Sequence, residues 1–232
     1  MFKENTEPQI NKETKTDKSD KGILWENKAQ EIKEMTDGLG YGMDKGVEET
    51  VIALQLLGIN VEQSCDGHGE DKHGASTPWI EISAPNQPEE RLVGEKKIFE
   101  QVAKKYGLTV EEITSGDHEE AEKEVHKHLS QQEETDEFKD WEKGNSPLRA
   151  KTEKLLGEFY QNRDVFESER LIIHEMLEGN FKIMSNWEDY YLAKERWEEM
   201  DEKEKQALRE RLARHQEEMK TFGKFLRDKF FS

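Results

Sequence analysis

The earliest regular pattern in the chain is a helical one. Apolar residues recur every three or four positions across 23–35 and again from Val47 to Leu57, which predicts two amphipathic helices. Asp44 stands where a side chain caps the N-terminus of the second helix, and Gly58 stands where a glycine ends it. The glycine-rich stretch between the two helices predicts a loop.

A glycine-rich motif lies between two predicted strands. Residues 59–64 favour a strand, and residues 78–85 alternate between apolar and polar types as a half-buried strand does. The motif SCDGHGEDKHG occupies 64–74 and is too polar to continue the pairing. We assign Gly67 and Gly69 to the turn itself, since glycine accepts the positive φ that tight turns need.

The rest of the chain predicts mostly helix. Pro88 opens a helix that ends at Gly107, and Ser146, followed by proline, opens a long helix that continues to Gly179. Across 208–226 a last helix has apolar residues, and one histidine, stepping by four and three. Such a seam packs against another helix, either within the molecule or in a dimer.

These elements predict an α+β fold, in which a small α/β module with a short sheet is followed by an all-α helical module. We divide the chain into a disordered polar tail at 1–22 and an α/β module with the SCDGHG loop at 23–115. An acidic linker or exposed helix follows at 116–144, and the helical module occupies 145–232.

The net charge of the chain disfavours one class of binding partner. The chain has 232 residues with 53 acidic and 35 basic side chains, a formal charge of −18. It therefore lacks the basic surface that nonspecific nucleic-acid binding requires. A protein partner and a homodimer both stay open.

The cysteine count and the apolar runs predict the compartment. Cys65 is the single cysteine, which excludes an intramolecular disulfide and fits a reducing compartment. No apolar run approaches the roughly 20 residues of a membrane span, and the start of the chain has no signal-peptide core. We expect a cytoplasmic protein with no membrane partner.

The SCDGHG loop is the strongest candidate for chemistry, and metal binding is one interpretation of it. Cys65, His68 and His73 offer a thiolate and two imidazoles, which suit Zn²⁺ or Fe²⁺. Asp66 or Asp71 would complete the ligand set. Three protein ligands with an open fourth position are typical of catalytic metal sites.

Two other interpretations of the loop need no metal. Cys65 and His68 would be catalytic if the thiolate is a nucleophile that His68 and the backbone amides of the turn stabilise. Alternatively, the loop only shapes the fold, with a buried cysteine and glycines that permit the turn.

The same residues carry a resemblance to a known family. The run DKGVEETVIALQLLGINVEQSCDGHG, followed by PWIEISAP, resembles a family of uncharacterised bacterial and phage proteins with a serine, cysteine, acidic residue, glycine, histidine motif before a proline-tryptophan strand. The helical half of the chain is similar too, so the resemblance covers most of the chain after residue 23. No activity is established for that family, so the resemblance implies no reaction.

A second resemblance is to the wybutosine-synthesising tRNA methyltransferase family, which places a serine-cysteine-x-glycine turn after a helix and a strand. Ser64, Cys65 and Gly67 match that turn. The family has arginine where His68 stands, and this chain lacks the basic balance of a tRNA binder. We therefore carry over neither its cofactor nor its substrate.

Two function classes stand beside a metal- or thiol-dependent enzyme. One is a non-enzymatic acidic interaction protein that binds a protein partner through its helical half. The other is a magnesium-dependent nucleotide pyrophosphatase, because Glu175 with Glu178 and Glu198 with Asp201 would place four carboxylates on two antiparallel helices.

Overall fold

The computed structural model of the chain describes residues 18–36, 42–68, 76–176, 179–185, 197 and 199–232. Within them lie seven α-helices and a four-stranded antiparallel sheet, which confirms the predicted α+β class. The helices are α1 (Lys18–Glu34), α2 (Glu48–Leu56), α3 (Glu95–Tyr106), α4 (Val110–Thr114), α5 (Glu119–Leu129), α6 (Asp136–Tyr160) and α7 (Glu202–Phe231). The strands are β1 (Val61–Cys65), β2 (Trp79–Ile82), β3 (Ile172–Glu175) and β4 (Phe181–Met184).

The sheet joins strands from both halves of the chain. Its order is β1-β2-β4-β3, and every neighbouring pair is antiparallel. The two inner strands place Ile80 opposite Ile183 and Ile82 opposite Phe181, and all four side chains are buried. The alternation predicted for 78–85 is confirmed, because these side chains form one apolar face of the main core.

The prediction of one long helix that continues to Gly179 is wrong beyond Tyr160, where α6 ends. The chain leaves α6 there and later forms β3 and β4, whose connection includes Gly179 at a φ of +81°. The adjacent β-branched residues Ile172 and Ile173 favour a strand over a helix. Pairing of β4 with β2 then buries its apolar face, so a contact far away in sequence decides the structure of this segment.

The predicted N-terminus of that helix at Ser146 is also wrong. α6 begins at Asp136, and the preceding threonine caps it. Pro147 lies inside the helix, where it removes one helical hydrogen bond. Burial of Phe138 and Trp141 in the turns before it stabilises the continuous helix.

The helix predicted from Pro88 starts later, at Glu95. The Glu95 carboxylate accepts the backbone N–H groups of Arg91 and Leu92 at 2.8 and 3.0 Å, which holds the preceding residues in a turn. The helices α3, α4 and α5 then pack around a small separate core. Its buried members are Val102, Ala103, Ile113, Ala121 and Val125.

The predicted tail and the predicted acidic linker both contain helical residues. The predicted tail covers 1–22. Its residues 1–17 lie outside the described part, and α1 begins at Lys18. The segment 116–144 includes α5 and the first turns of α6. None of the helices in the described part is sufficiently long and apolar to cross a membrane.

The main core forms where α2 packs against α7, its most extensive partner. At the crossing, a Cβ added to Gly223 would lie 2.6 Å from Thr50 Oγ1 and 3.2 Å from the Thr50 backbone nitrogen. Thr50 Oγ1 also donates a hydrogen bond to the Met219 carbonyl at 3.3 Å. The seam predicted on the last helix is confirmed as a contact within the molecule, since Met219, Phe222 and Leu226 are fully buried.

Gly223→Ala is expected to lower the free energy of unfolding by about 1–3 kcal/mol, because the added methyl group forces α2 and α7 apart. Gly157→Ala is the matched control on α6, since an added Cβ there has no atom within 4 Å. It should raise the free energy of unfolding by about 0.5–1 kcal/mol, because alanine is the better helix former. Chemical denaturation measures both, and equal signs would contradict the packing described here.

Candidate metal centre

Strand β1 brings Cys65 to the end of the sheet. Cys65 is its last residue and lies opposite Trp79 on β2. Beyond the strand the chain turns, and His68 and Ser76 exchange two backbone hydrogen bonds of 3.1 and 2.8 Å. These bonds extend the β1–β2 pairing beyond the strands and fix the backbone of His68. Residues 69–75 lie outside the described part of the chain.

The turn at Gly67 is tightly packed. Gly67 has a φ of +84°, and an added Cβ would lie 2.5 Å from the Ser76 carbonyl oxygen and 2.9 Å from Leu212 Cδ1. Gln216 on α7 donates from Nε2 to the carbonyl oxygens of Asp66 and Gly67 at 3.0 and 3.2 Å. The last helix therefore holds the turn in place. The sequence does not indicate this role of Gln216, because the contact joins residues 150 positions apart.

Asp44, Cys65 and His68 converge at this turn. One potential ligand atom of each lies within 4.8 Å of the other two, and Cys65 Sγ is 3.2 Å from His68 Nε2. Asp44 and Cys65 are half-buried, whereas His68 is exposed. In the ranges that the structure describes, no other group of three such side chains is found.

Asp44 is the member of this group that the sequence did not indicate. The prediction that Asp44 caps α2 is wrong, because Val47 occupies the N-cap position. Asp44 Oδ2 instead accepts the backbone N–H of Asp66 at 3.1 Å. The two residues are 22 positions apart, so no local motif could have revealed the contact.

The other predicted ligands have different positions. Asp66 Oδ2 accepts the backbone N–H of Gly46 at 3.3 Å, and Asp66 is not a member of the three-residue group. The residues predicted to accompany it, His73 and Asp71, lie outside the described part, as does the turn residue Gly69. The structure thus brings together Cys65 and His68 from the predicted set.

Burial and negative charge disfavour ionisation at this turn. Burial raises the pKa of the Cys65 thiol, and the carboxylates of Asp44 and Asp66 raise it further. The Gly67 N–H and the Ser76 hydroxyl lower the same pKa without reversing the shift. Burial and the Asp44 carboxylate also raise the pKa of Asp66. Without a metal, the Cys65 thiol therefore has a higher pKa than a free cysteine and ionises less readily.

The predicted four-carboxylate cluster is wrong in its described part. Glu175 lies on strand β3, where it pairs with Arg149, and so is not on a helix. Asp201 is the capping residue of α7 and uses its carboxylate there. Glu178 and Glu198 lie outside the described residues. Of the four predicted magnesium ligands, the two in the described part, Glu175 and Asp201, are therefore a strand residue and a helix cap.

The chain was compared with protein-family models, curated proteins and solved structures. None of the three comparisons finds a match. The resemblance to the bacterial and phage family stays a prediction.

Those side chains offer one sulfur, one nitrogen and one oxygen donor. Zn²⁺ binds all three types, with bonds of about 2.0–2.3 Å, so two donors on one tetrahedral zinc lie about 3–4 Å apart. The Cys65–His68 pair already has that spacing. Asp44 is held by its bond to the turn, and such a bond orients a metal-binding carboxylate.

Alkylation of Cys65 in the metal-free protein should be slower at neutral pH than alkylation of the same cysteine in the denatured chain. The folded thiol has the higher pKa, so less of it is the reactive thiolate. The rate should increase with pH, with a midpoint above that of the denatured chain. Iodoacetamide kinetics between neutral and alkaline pH measure both profiles. A lower midpoint in the folded protein would show that the site stabilises the thiolate by itself.

Proposed function

We propose that the protein binds Zn²⁺ or Fe²⁺ through Asp44, Cys65 and His68. The observation that carries this proposal is the convergence of their three donor atoms within 4.8 Å. Thiolate and imidazole together are typical ligands of these two metals. The backbone bonds of the turn hold the donors close together before any metal arrives.

The negative charge of the turn favours binding of a cation. The carboxylates of Asp44 and Asp66 both lie close enough to the Cys65 thiol to raise its pKa. In the absence of a cation, this crowding of acidic groups is repulsive. A divalent ion replaces that repulsion with attraction, and a coordinating thiol loses its proton. The same carboxylates that disfavour a free thiolate therefore favour a metal-bound one.

The ligand count and the exposure of the site support catalysis. Three protein ligands leave one position of a tetrahedral metal open, which is typical of catalytic rather than structural zinc. A zinc ion in such a site supplies a water molecule of lowered pKa. His68 is exposed, so this group of side chains lies at the surface of the described structure. We infer a metal-dependent enzyme that uses activated water.

A thiol-dependent reaction without metal is the second candidate. The 3.2 Å contact between Cys65 Sγ and His68 Nε2 favours it, since an adjacent imidazole can accept the thiol proton and leave a nucleophilic sulfur. The raised pKa of Cys65 works against this interpretation. The alkylation profile of the metal-free protein distinguishes the two candidates.

Removal of any one ligand should weaken metal binding strongly. Asp44→Asn, Cys65→Ser and His68→Gln each keep the approximate size of the side chain, and each should lower zinc affinity by on the order of 100-fold or more. Competition with a chromophoric chelator, on protein stripped of metal, measures the affinity. Circular dichroism of each variant checks that the fold is retained.

Asp66→Asn is the matched control, since the amide oxygen can still accept the Gly46 N–H and the residue is outside the ligand group. Its zinc affinity should stay within about tenfold of the original, because the substitution keeps the bond from Gly46 and removes only a charge. His73→Ala and Asp71→Asn test the two ligands that the sequence predicts. The proposal fails if zinc does not bind the original protein, or if the three ligand variants bind zinc as well as Asp66→Asn does.

A further inference from the structure

The last helix is connected to the ligand sulfur through one peptide group. Gln216 Nε2 donates a hydrogen bond to the Asp66 carbonyl oxygen at 3.0 Å. The N–H of the same peptide group belongs to Gly67, and it donates to Cys65 Sγ at 3.4 Å. The two hydrogen bonds therefore run in one direction, from the side chain on α7 through the peptide group to the sulfur.

The direction of these bonds favours a thiolate. Hydrogen bonds in a chain polarise one another, so a donor on the carbonyl oxygen makes the N–H at the other end of the peptide group a stronger donor. A hydrogen bond to a charged sulfur stabilises its negative charge. Burial raises the pKa of the Cys65 thiol, and the bond from Gly67 is the largest influence that opposes this shift.

The Gln216 amide also restricts the backbone between two of the proposed ligands. Its Nε2 donates to the Gly67 carbonyl oxygen as well, at 3.2 Å. The two carbonyl groups that it binds belong to the two residues between Cys65 and His68. Glycine permits a wide range of backbone angles, so a contact at Gly67 helps to set the spacing of the two ligands.

Leu212 contacts the same turn without taking part in these hydrogen bonds. It lies about one helical turn before Gln216 on α7. A Cβ added to Gly67 would lie 2.9 Å from Leu212 Cδ1, and Leu212 is buried. One face of α7 therefore gives the turn an apolar contact and a polar contact, and substitution can separate their effects.

We propose that Gln216 is a positioning residue of the metal centre, which orients the peptide group between Asp66 and Gly67 so that its N–H stabilises the metal-bound sulfur of Cys65. This inference rests on the proposed metal binding. It gives α7 control over metal affinity, although Gln216 is not a member of the ligand group. Because such coupling is reciprocal, a bound metal also strengthens the contact between the turn and α7.

Gln216→Met tests the proposal, because methionine has a similar length but cannot donate a hydrogen bond to a carbonyl group. The zinc affinity of the full-length protein, measured by chelator competition, should fall by about 10–100-fold. Gln206→Met is the matched control on the same helix, since Gln206 is exposed and donates to Glu210 within that helix. This control should bind zinc as tightly as the original protein does.

Co²⁺ supplies a readout that a loss of packing alone does not move. It binds the same donor types as Zn²⁺, and its near-ultraviolet absorption includes charge transfer from a bound thiolate. A hydrogen bond lowers the energy of the sulfur electrons, so Gln216→Met should move this band to longer wavelength. Leu212→Ala removes packing on the turn but keeps the bonds from Gln216. It should lower the stability to denaturant and leave the band in place.

The outcomes distinguish this inference from the proposed function. If the original protein binds neither zinc nor cobalt, the proposed metal site is wrong and the inference fails with it. If the original protein binds metal but Gln216→Met matches Gln206→Met in affinity or in band position, the metal site stands and the role of Gln216 is overturned. An equal band shift in Leu212→Ala would also overturn that role, because packing alone would then explain it.

Discussion

The close approach of α2 and α7 at Gly223 is the contact on which the rest of the structure depends. The absence of a side chain at residue 223 lets Thr50 reach the backbone of the last helix. About two helical turns earlier on α7, Gln216 then meets the carbonyl groups of Asp66 and Gly67. The geometry of the candidate metal centre is therefore set by helix packing as much as by the motif itself.

The sequence predicted the elements whose signals are local. The period-two alternation around Ile80, the helical period of α2 and the seam of α7 each correspond to an observed element. The predictions failed where a distant contact overrides local preference. Ser146 followed by Pro147 has the pattern of a helix start, but apolar burial before it continues the helix through the proline.

The same distinction applies to the candidate site. Cys65 and His68 lie three residues apart, so their proximity could be predicted from a glycine turn. Asp44 and Gln216 join them only because β1, α2 and α7 pack together, and neither residue stands in a recognisable motif. In the sequence, Asp44 has the pattern of an ordinary helix cap. That pattern gives no sign that Asp44 lies near Cys65 Sγ. Long-range contacts of this kind need a tertiary structure before they can be identified.

The most direct test of the metal centre is a crystal of the protein grown with zinc and measured by anomalous diffraction at the zinc absorption edge. We expect one strong peak within about 2.0–2.3 Å of a carboxylate oxygen of Asp44, Cys65 Sγ and His68 Nε2, with a solvent molecule or a fourth ligand completing the tetrahedron. A zinc ion bound elsewhere, with Cys65 and His68 still in contact with each other and free of metal, would contradict it.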